Sequence, residues 1–331
     1  MKVTIIGKHG HYSDAVQSAK RSKDIFLCAI APGVQDEDMS DVYCLIEDEL
    51  GQSPEMFGSW EAMIEKTKPD VCVVNTEYYM NGPISASLLR RGVHVYAEKP
   101  GATSLEQLDE LIAAYRSGKA SYLSMLNYYY SPEYQKAYEI IESGAIGKVR
   151  LISAQKSYKL GERPAFYSDI DRYGGTIPWV GVHPVQWAYQ MSGKAGFISA
   201  YAISDNSYNK GNGTMDMTAI MSFKMAGDVL CTANLDYLRP GCASSHGDDR
   251  LRVAGTEGVL EITGGEVQII SPGYSGVVDV AGTEAGMFDA YVGMLSGSPA
   301  RFDAEDCFVI ARAALCAQQS AATGMIVDVA S

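Results

Sequence analysis

The 331-residue sequence lacks long apolar runs, paired cysteines and a surplus of basic residues. No apolar run reaches the ~20 residues of a transmembrane helix. The chain starts directly with a strand pattern, rather than with the charged and then apolar segments of a secretory signal. Lys and Arg number 27 against 40 Asp and Glu, so the net charge is −13. Nucleic acids and anionic membranes need a basic patch, so we expect a cytoplasmic protein that binds neither.

The cysteines and histidines show no metal-ligand or disulfide spacing. Seven cysteines are scattered without any C-x-x-C pair, a pattern typical of reduced and mostly buried thiols. The five histidines are equally scattered, so we expect no metal site. A hydrophobic content of 47% and a charged content of 20% are ordinary for a folded soluble protein. The length allows two domains.

Strands alternate with helices over the first 120 or so residues, which predicts a parallel sheet. The strands are expected at Val3–Ile6, Ile25–Ala31, Val71–Asn75, Val93–Ala97 and Ala120–Leu126. One helix is expected to begin at Pro83, because proline costs nothing at a first helical position. Another has Thr103 as its N-cap and Glu106 three residues on, as in a capping box. This order predicts a doubly wound α/β domain of the Rossmann type.

A lysine stands where such a sheet presents its ligands. Gly92 ends the helix that starts at Pro83, and the short strand Val93–Ala97 follows. Glu98-Lys99-Pro100 then lies at the carboxyl end of that strand. Ligands of open α/β sheets bind at this end, so Lys99 is a candidate for contact with a ligand.

The stretch G-x-H-V, a two-residue spacer and E-K-P, here Gly92 to Pro100, resembles the hallmark of the glucose–fructose oxidoreductase/inositol dehydrogenase family, Gfo/Idh/MocA. The likeness extends to the first strand, to residues 73–100, to Ser143–Val149, to the region around His183 and to the last helix. It implies an oxidoreductase that uses NAD or NADP and acts on a sugar, polyol or related small molecule. It also implies a homodimer or homotetramer formed through the sheet of the second domain.

The first turn should carry the phosphate loop of this domain. The usual pattern G-x-G-x-x-G places glycines where the backbone approaches a pyrophosphate. Gly7 holds the first position, whereas His9 and Tyr12 replace the other two glycines. Gly10 would restore the turn one residue late, and His9 and His11 would then face phosphate oxygens beside a helix N-terminus. The alternative is a loop that no longer holds a dinucleotide well.

The residue that should bind the ribose is missing from the end of the second strand, which reads Ala31-Pro32-Gly33. Neither an acid nor an arginine stands there, and Asp36 and Glu37 follow only later, in a loop. The choice between NAD and NADP therefore stays open.

The family's T-P-x-x-x-H pattern supplies further candidates. Thr76 matches it, while Glu77 and Asn81 replace the proline and the histidine. The resemblance also implies that Asn127 lies near the nicotinamide or the substrate. Candidate cofactor-binding residues are therefore Gly7, His9, Gly10, His11, Thr76, Glu77, Asn81, Glu98 and Lys99.

The second domain has the pattern of consecutive strands joined by turns, which predicts an open, mostly antiparallel sheet in an α+β domain. We place the dinucleotide-binding domain at 1–122 and the substrate-binding and oligomerisation domain at 123–331. A helix is expected at Pro132–Ser143, capped by Ser131, and a last helix at 303–321. The strands are expected at Val149–Tyr158, Ile198–Ser204, Met215–Phe223, Val229–Leu238, Leu251–Val253 and Val259–Ile262.

The stretch Tyr173–Trp187 resembles the family's G-G-x-x-x-D-x-G-x-H-x-x-D. Gly174, Gly175, Gly181 and His183 match this pattern. Both acids are missing, with tryptophan at position 179 and glutamine at position 186. A helix starting at Pro184 would hold His183 at its entry.

The resemblance implies that Lys99 and His183 are the catalytic residues. Oxidation of a secondary alcohol leaves a proton on oxygen, which histidine can take, while a lysine stabilises the charge on that oxygen. With the acid missing, His183 would act with Lys99 alone or with another acid such as Asp171. Trp179 offers an indole face to a sugar ring, although it could equally be a core residue. Tyr173, Trp179 and Asn127 are the candidate substrate-binding residues.

Three questions stay open at this level. Arg163 and Arg172 could bind an acidic substrate group or simply be solvated. The chain could use NAD to cleave glycosides through transient oxidation of the sugar. It could also be a sensor or binding protein of this fold that has lost catalysis, because several family glycines and acids are replaced.

Overall fold

The computed structural model describes residues 1–280 and 286–329. These residues form two compact units. Unit 1 comprises residues 1–125, 171–174 and 286–308, and unit 2 comprises 126–170, 175–280 and 309–329. The sequence-based division at 122/123 assigns 286–308 to the second domain, whereas these residues cluster with unit 1.

Aromatic packing explains why 286–308 belong to unit 1. The Phe288 ring lies edge-on to Tyr96 at 5.0 Å, and Phe308 stacks on Tyr122 at 5.4 Å. Asp289 accepts a hydrogen bond from Ser18 and pairs with Arg21. These partners are distant in sequence, so no local pattern predicts them.

Unit 1 is built on a parallel six-stranded sheet. Its order is β3-β2-β1-β4-β5-β6, and each adjacent pair runs parallel. The strands are β1 Lys2–Ile6, β2 Phe26–Ala31, β3 Glu55–Met56, β4 Val71–Val74, β5 His94–Ala97 and β6 Tyr122–Ser124. The central strand β4 is buried at every residue, as its continuous apolar run predicts for a sheet covered on both faces. The predicted Rossmann-type sheet is confirmed.

Unit 2 is built on a nine-stranded, mostly antiparallel sheet of order β14-β13-β12-β11-β7-β10-β9-β8-β15. Its strands are β7 Val149–Lys159, β8 Phe197–Asp205, β9 Thr218–Met225, β10 Val229–Arg239, β11 Gly247–Gly255, β12 Val259–Thr263, β13 Glu266–Ser271, β14 Tyr274–Val278 and β15 Val327–Asp328. Buried and exposed residues alternate along β9 and β10, so one face of these strands is packed and the other is open. The predicted fold class is confirmed.

Ten α-helices are described in residues 1–280 and 286–329. They are α1 Ser13–Arg21, α2 Ser40–Leu50, α3 Trp60–Thr67, α4 Tyr78–Arg90, α5 Leu105–Arg116, α6 Pro132–Glu142, α7 Ile170–Tyr173, α8 Val182–Met191, α9 Met287–Leu295 and α10 Ala304–Thr323. None of these helices combines the length and the apolar character that crossing a bilayer requires.

Helix α4 corrects the prediction of a start at Pro83, because it begins five residues earlier at Tyr78. Proline has no N–H to donate to the carbonyl four residues before it, which here is that of Tyr79. The Gln107 side chain donates to the Tyr79 carbonyl at 3.2 Å instead. The helix therefore tolerates an internal proline through a partner that no local pattern shows.

Two other helix boundaries also differ from the predictions. Helix α5 is capped by Ser104, whose hydroxyl accepts from Gln107 N–H at 3.2 Å, and not by Thr103. Helix α8 begins at Val182 and not at Pro184, because a π-helical turn over Ile177–Gly181 leads into it.

The predictions missed the hairpin of β13 and β14. Val267 and Ile269 are buried while Gln268 between them is exposed, an alternation that is visible in the sequence after the turn Gly264-Gly265. Strand β11 begins at Gly247, four residues before the predicted start at Leu251. Its first residues are glycine and aspartates, which have low strand propensity.

Candidate functional site

The loop after β1 needs glycine at two positions because other parts of unit 1 approach it closely. Gly7 has φ +78°, and a Cβ there would collide with the backbone of Asn75 and Thr76. Gly10 has φ +104°, and a Cβ there would collide with the Glu98 carboxylate. Between them, His9 N–H donates to the Asn75 carbonyl at 2.6 Å. The altered glycine pattern therefore still forms a tight turn beneath the N-terminus of α1.

Glu98 closes this loop from inside the sheet. Its carboxylate is fully buried and accepts from the His11 N–H at 2.6 Å, while the His11 ring nitrogen Nδ1 lies 2.8 Å away. The negative charge of Glu98 raises the pKa of His11. Because Nδ1 faces Glu98, a phosphate would contact this ring through Nε2 only. His11 is thus first a partner of Glu98.

His9 cannot offer a positive charge at neutral pH. Burial, aided by the charge of Lys8, lowers its pKa to about 4. Its Nε2 lies 3.4 Å from the Glu37 carboxylate. The predicted contact of His9 with a phosphate would therefore be that of a neutral imidazole.

Glu37 returns to the phosphate loop from the segment after β2. Its carboxylate accepts from Gly33 N–H at 2.7 Å and from Lys8 N–H at 3.2 Å, and burial raises its pKa. An acid in this region is what a dinucleotide-binding domain uses for the ribose. The sequence places Glu37 only in a loop beyond the expected position, and local patterns do not show that this loop folds back onto Lys8 and Gly33.

Asn81 fixes the loop that carries Lys99. Its Oδ1 accepts from Thr76 N–H at 3.2 Å, and its Nδ2 donates to the carbonyls of Glu98 and Pro100, both at 3.2 Å. The Lys99 side chain between these carbonyls is 2% exposed. Asn81 therefore positions the ends of β4 and β5 relative to each other, and its contact with a cofactor stays a prediction.

Glu77 and Arg172 pair with each other. Arg172 Nε and Nη2 donate to the Glu77 carboxylate at 2.8 and 2.5 Å, so this arginine is not simply solvated. Next to it, the buried Tyr173 packs against Tyr78 with ring centroids 6.1 Å apart. Both Arg172 and Tyr173 belong to unit 1. Their predicted roles toward cofactor and substrate stay predictions.

In unit 2, His183 lies in the first turn of α8 and is 2% exposed. Its ring lies edge-on to Tyr128, with centroids 4.9 Å apart. The turn before it needs Gly181, since a Cβ there would come within 2.8 Å of Leu235. Lys99 and His183 belong to different units, so their joint action stays a prediction.

The replaced acids of the family pattern have identifiable surroundings. Gln186 is buried, and its Nε2 donates to the Leu126 carbonyl at 2.8 Å, next to Asn127. Asn127 opens the short 3₁₀ helix Asn127–Tyr130. Trp179 is 8% exposed and lies perpendicular to Tyr167 at 6.2 Å. Trp179 is thus mostly covered by protein, and its contact with a sugar stays a prediction.

A buried lysine to which no sequence motif points, Lys156, lies over the ring of Tyr128, which also contacts His183. Lys156 Nζ is 2.5 Å from Asp249 Oδ2 and also donates to the Tyr128 hydroxyl. The ammonium lies 4.2, 4.8 and 5.4 Å from the ring centroids of Tyr128, Tyr158 and Trp187. Such aromatic faces attract a cation. We call Lys156, Asp249 and Tyr128 the lysine cluster.

Burial determines the charge state of this lysine. It lowers the pKa of Lys156 to about 8, and the Asp249 carboxylate opposes the shift. The sequence did contain one indication that Lys156 is buried. Ile152 and Ala154 point inward from β7, and position 156 follows the same alternation. Asp249 had no such signal, since it lies in the unpredicted start of β11.

Unit 1 fits a dinucleotide as far as the described residues go. The loop has the two glycine cradles, α1 begins directly after it, and Glu37 supplies an acid. A nicotinamide dinucleotide would be held by the turn of Gly7 and Gly10, with Lys99 at the carboxyl end of β5. In the described ranges, no group of three or more His, Cys, Asp and Glu side chains could hold a metal ion.

Comparisons with known proteins agree with this geometry. Residues 6–125 match the model of the oxidoreductase family with an NAD-binding Rossmann fold, and residues 134–261 match the GFO/IDH/MocA C-terminal domain. A Thermotoga maritima protein, whose own assignment as an oxidoreductase is provisional, has a solved structure of TM-score 0.95 at 34% identity. The alignment covers 99% of this chain and 100% of that one. The chain belongs to the GFO/IDH/MocA family of oxidoreductases, which has an NAD-binding Rossmann fold.

More distant relatives show the range of this fold. A levoglucosan dehydrogenase, solved with NADH and levoglucosan, has a TM-score of 0.81 at 16% identity, covering 100% of this chain and 99% of that one. The dTDP-3,4-didehydro-2,6-dideoxy-α-D-glucose 3-reductase of Actinomadura kijaniata is 24% identical over 177 residues, which are 50% of this chain and 52% of that protein. The chain therefore spans about half the length of this curated relative.

Proposed function

We propose that this protein transfers hydride between a nicotinamide dinucleotide and a CH–OH group of a sugar, polyol or related small molecule. The observation that carries the proposal is the buried Lys99, which Glu98 and Asn81 hold at the carboxyl end of β5. This is the edge where sheets of this type bind their ligands. The sugar reductase and the levoglucosan dehydrogenase among the relatives support the substrate class.

Lys99 and His183 are the residues to which we assign the chemistry. The Lys99 ammonium would donate a hydrogen bond to the substrate oxygen and stabilise the negative charge that develops there. His183 would take the hydroxyl proton during oxidation and return it during reduction. The bound nicotinamide supplies the acceptor for the hydride. The acids of the family pattern are absent, and packing against Tyr128 constrains the orientation of the His183 ring.

We infer that NAD is preferred over NADP. The Glu37 carboxylate lies beside the phosphate loop, bonded to Lys8 and Gly33 N–H. An acid in this region accepts hydrogen bonds from the ribose hydroxyls of NAD and repels the additional phosphate of NADP. Glu37→Gln should therefore lower the ratio of the dissociation constant of NADP to that of NAD.

Thermal unfolding with NAD, NADH, NADP and NADPH tests the cofactor. A ligand at 100 times its dissociation constant stabilises the folded state by about 2.7 kcal/mol, so the melting temperature should rise with NAD and NADH. Turnover on a panel of sugars and polyols then tests the chemistry. Lys99→Ala should reduce kcat at least a hundredfold, and Lys99→Arg should not restore it, because the larger planar guanidinium does not place its charge where the compact ammonium lies. Unchanged turnover in Lys99→Ala would refute the assignment.

We further propose that the open face of the unit 2 sheet joins copies of this chain into a homodimer or homotetramer. Ile203, Ile220, Leu230 and Leu238 on β8, β9 and β10 are each more than half exposed. Ile203 and Ile220 lie opposite each other on adjacent strands, and exposed apolar surface of this kind typically marks an interface. Light scattering should report the molar mass of a dimer or tetramer for the wild type and of a monomer for Ile220→Lys. The control Tyr43→Phe on α2 should have the same molar mass as the wild type.

We also infer a cytoplasmic location. All seven cysteines are free thiols, four of them buried, which suits a reducing compartment. Fractionation of the native host should find the protein with the soluble cytoplasmic markers.

A further inference from the structure

The charged pair of the lysine cluster is fixed by the register of the unit 2 sheet. Lys156 on β7 and Asp249 on β11 are directly opposite partners in the antiparallel pairing of these two strands. Residues that face each other in this way have neighbouring side chains. The Lys156 ammonium accordingly lies 2.5 Å from Asp249 Oδ2, and the lysine side chain is fully buried.

Stability alone does not account for this pair. Taking an ammonium and a carboxylate out of water costs much of what their attraction returns, and apolar side chains of similar volume often stabilise a protein as well or better. A buried pair can instead serve to fix one arrangement of the groups around it. The group with which both members of this pair interact is Tyr128.

Tyr128 is held at its hydroxyl and at its ring. The hydroxyl donates to Asp249 Oδ2 at 2.5 Å and accepts from the Lys156 ammonium. The ammonium also lies 4.2 Å from the ring centroid, within the distance at which an aromatic ring attracts a cation. Burial raises the pKa of Tyr128, so the hydroxyl keeps the proton that it donates. The ring therefore cannot shift without loss of a contact to the pair.

The Tyr128 ring in turn packs against α8. It lies edge-on to His183 at 4.9 Å and to Trp187 at 5.3 Å between ring centroids. These two residues are four positions apart and thus lie on the same face of the helix. Edge-to-face contacts of aromatic rings at such distances are favourable and depend on ring orientation. Tyr128 thus connects the charged pair on the sheet to the imidazole on α8.

We propose that Lys156 and Asp249 are positioning residues that hold the His183 ring in place through Tyr128. The importance of this role for turnover rests on the proposed function, in which His183 moves the substrate proton. A base must be aligned with the hydroxyl that it deprotonates, and misalignment lowers the rate of the chemical step more than it weakens substrate binding. Asp249 thereby gives this site a carboxylate that acts from β11, although both acids of the family pattern are replaced.

Two variants release Tyr128 without removing its ring. Tyr128→Phe deletes the hydroxyl that bonds to both members of the pair, and Lys156→Met/Asp249→Leu replaces the pair itself. Both should lower kcat about tenfold or more and change KM less than about twofold, because the base is misaligned while the substrate is still bound. The assay uses the full-length protein at neutral pH with NAD and the compound that is turned over fastest on the panel of sugars and polyols.

Urea unfolding separates positioning from a purely structural role. Lys156→Met/Asp249→Leu should be more stable than Asp249→Ala, because it leaves no unpaired charge buried, yet its kcat should stay as low. A kcat that recovers together with the stability would overturn the proposal.

Tyr134→Phe is the matched control for Tyr128→Phe. Its ring lies edge-on to Tyr128 at 5.1 Å, but its buried hydroxyl has no hydrogen-bond partner within the described ranges. It should have the kcat of the wild type. Equal losses of kcat in the two variants would show that the aromatic packing as a whole is sensitive and would overturn the specific role of the pair.

The order parameter of the His183 ring tests the positioning without substrate or cofactor. It is obtained from NMR relaxation of isotope-labelled imidazole C–H groups, and the variant His183→Gln identifies the signals of this residue. The order parameter should fall in Tyr128→Phe and in Lys156→Met/Asp249→Leu, and it should stay at the wild-type value in Tyr134→Phe. An unchanged order parameter in Tyr128→Phe would overturn the proposal.

The positioning role and the proposed function fail in different ways. Loss of turnover in His183→Ala, together with a Tyr128→Phe variant of normal kcat and normal order parameter, would refute the positioning and leave the proposed function intact. Normal turnover in His183→Ala, together with a His183 ring that loosens in Tyr128→Phe, would refute the proposed base and leave the positioning intact.

Discussion

Each unit buries a charged side chain among its candidate functional residues, and the two charges are stabilised in different ways. Glu98 in unit 1 is surrounded by donors from a tight loop and from its own neighbour, namely His11 N–H, the His11 ring and Lys99 N–H. Lys156 in unit 2 depends on side chains of separate elements, namely Asp249, Tyr128 and the aromatic rings around them. Backbone donors stay in place when one side chain changes, whereas a side-chain pair loses its compensation when either member is removed.

The largest effect should come from breaking the pair in unit 2. Asp249→Ala leaves the Lys156 ammonium buried against the Tyr128 hydroxyl and the surrounding aromatic rings, without a carboxylate partner among the described residues. Removing one member of a buried ion pair costs about 3–5 kcal/mol. We expect about 3 kcal/mol, because the Asp249 side chain is 23% exposed and solvent compensates in part. Urea unfolding followed by circular dichroism measures the loss.

The double variant Lys156→Met/Asp249→Leu separates the lost pair from the unpaired charge. It should be more stable than Asp249→Ala, because replacing both members by apolar groups removes the buried charge. Glu110→Gln is the matched control, since the Arg90–Glu110 pair is about half exposed at both ends and should contribute at most about 1 kcal/mol. A loss for Asp249→Ala no larger than that of this control would show that the buried lysine does not depend on its partner.

In unit 1, the corresponding test concerns the amide that holds the Lys99 loop. Asn81→Ala removes the bonds to Thr76 N–H and to the carbonyls of Glu98 and Pro100. Lys99 then loses its fixed position, and misplacement by about 1 Å can cost about a hundredfold in rate. We expect kcat to fall ten- to a hundredfold in steady-state assays, with a smaller change in KM.

Ser85→Ala is the matched control for Asn81→Ala. It lies one turn further along α4, and its buried hydroxyl has no hydrogen-bond partner among the described residues. It should leave kcat unchanged. Equal losses in the two variants would mean that α4 responds to any substitution and that Asn81 has no particular role in positioning Lys99.

Glu98→Gln tests how far the loop after β1 depends on the charge and the two acceptor oxygens of Glu98. Glutamine has a single acceptor oxygen, so one of the donors on the two carboxylate oxygens loses its partner, at a cost of about 1–3 kcal/mol. Glu98 raises the pKa of His11. The stabilisation from charged His11 is therefore present below the unfolded pKa of about 6.5 and is lost as the pH rises through the higher folded value.

NMR titration of the imidazole signals and urea unfolding between pH 5 and 8 measure these effects. In Glu98→Gln, the pKa of His11 should fall, and the loss of stability relative to the wild type should be larger at pH 5 than at pH 8. His246 serves as an internal reference whose pKa should not move. An unchanged pKa of His11 would show that the ion pair does not form in solution.

The difference between residues placed by a short local stretch and residues placed by contacts of distant segments also explains which of them could be predicted from the sequence. Lys99 was found because one rule, that parallel strands present ligands at their carboxyl ends, acts on a short continuous stretch. Glu37 was underrated because its value depends on how a loop folds back onto Lys8 N–H. Asp249 was missed because the residues Gly247-Asp248-Asp249 do not have a strand composition, although they pair with β7. Contacts between distant segments were thus the part that local patterns could not supply.

The smallest effect concerns a boundary that differs by one residue between prediction and structure. Ser104→Ala removes the hydroxyl that accepts from Gln107 N–H at 3.2 Å at the start of α5, and loss of such a cap costs about 1 kcal/mol. The hydroxyl of Thr103, the predicted cap, donates to the Gln107 side-chain oxygen at 3.1 Å and not to a backbone group, so Thr103→Val should cost less than about 0.5 kcal/mol. Urea unfolding of the two variants distinguishes them. A larger loss of stability for Thr103→Val than for Ser104→Ala would show that Thr103 caps helix α5, as the sequence pattern predicts.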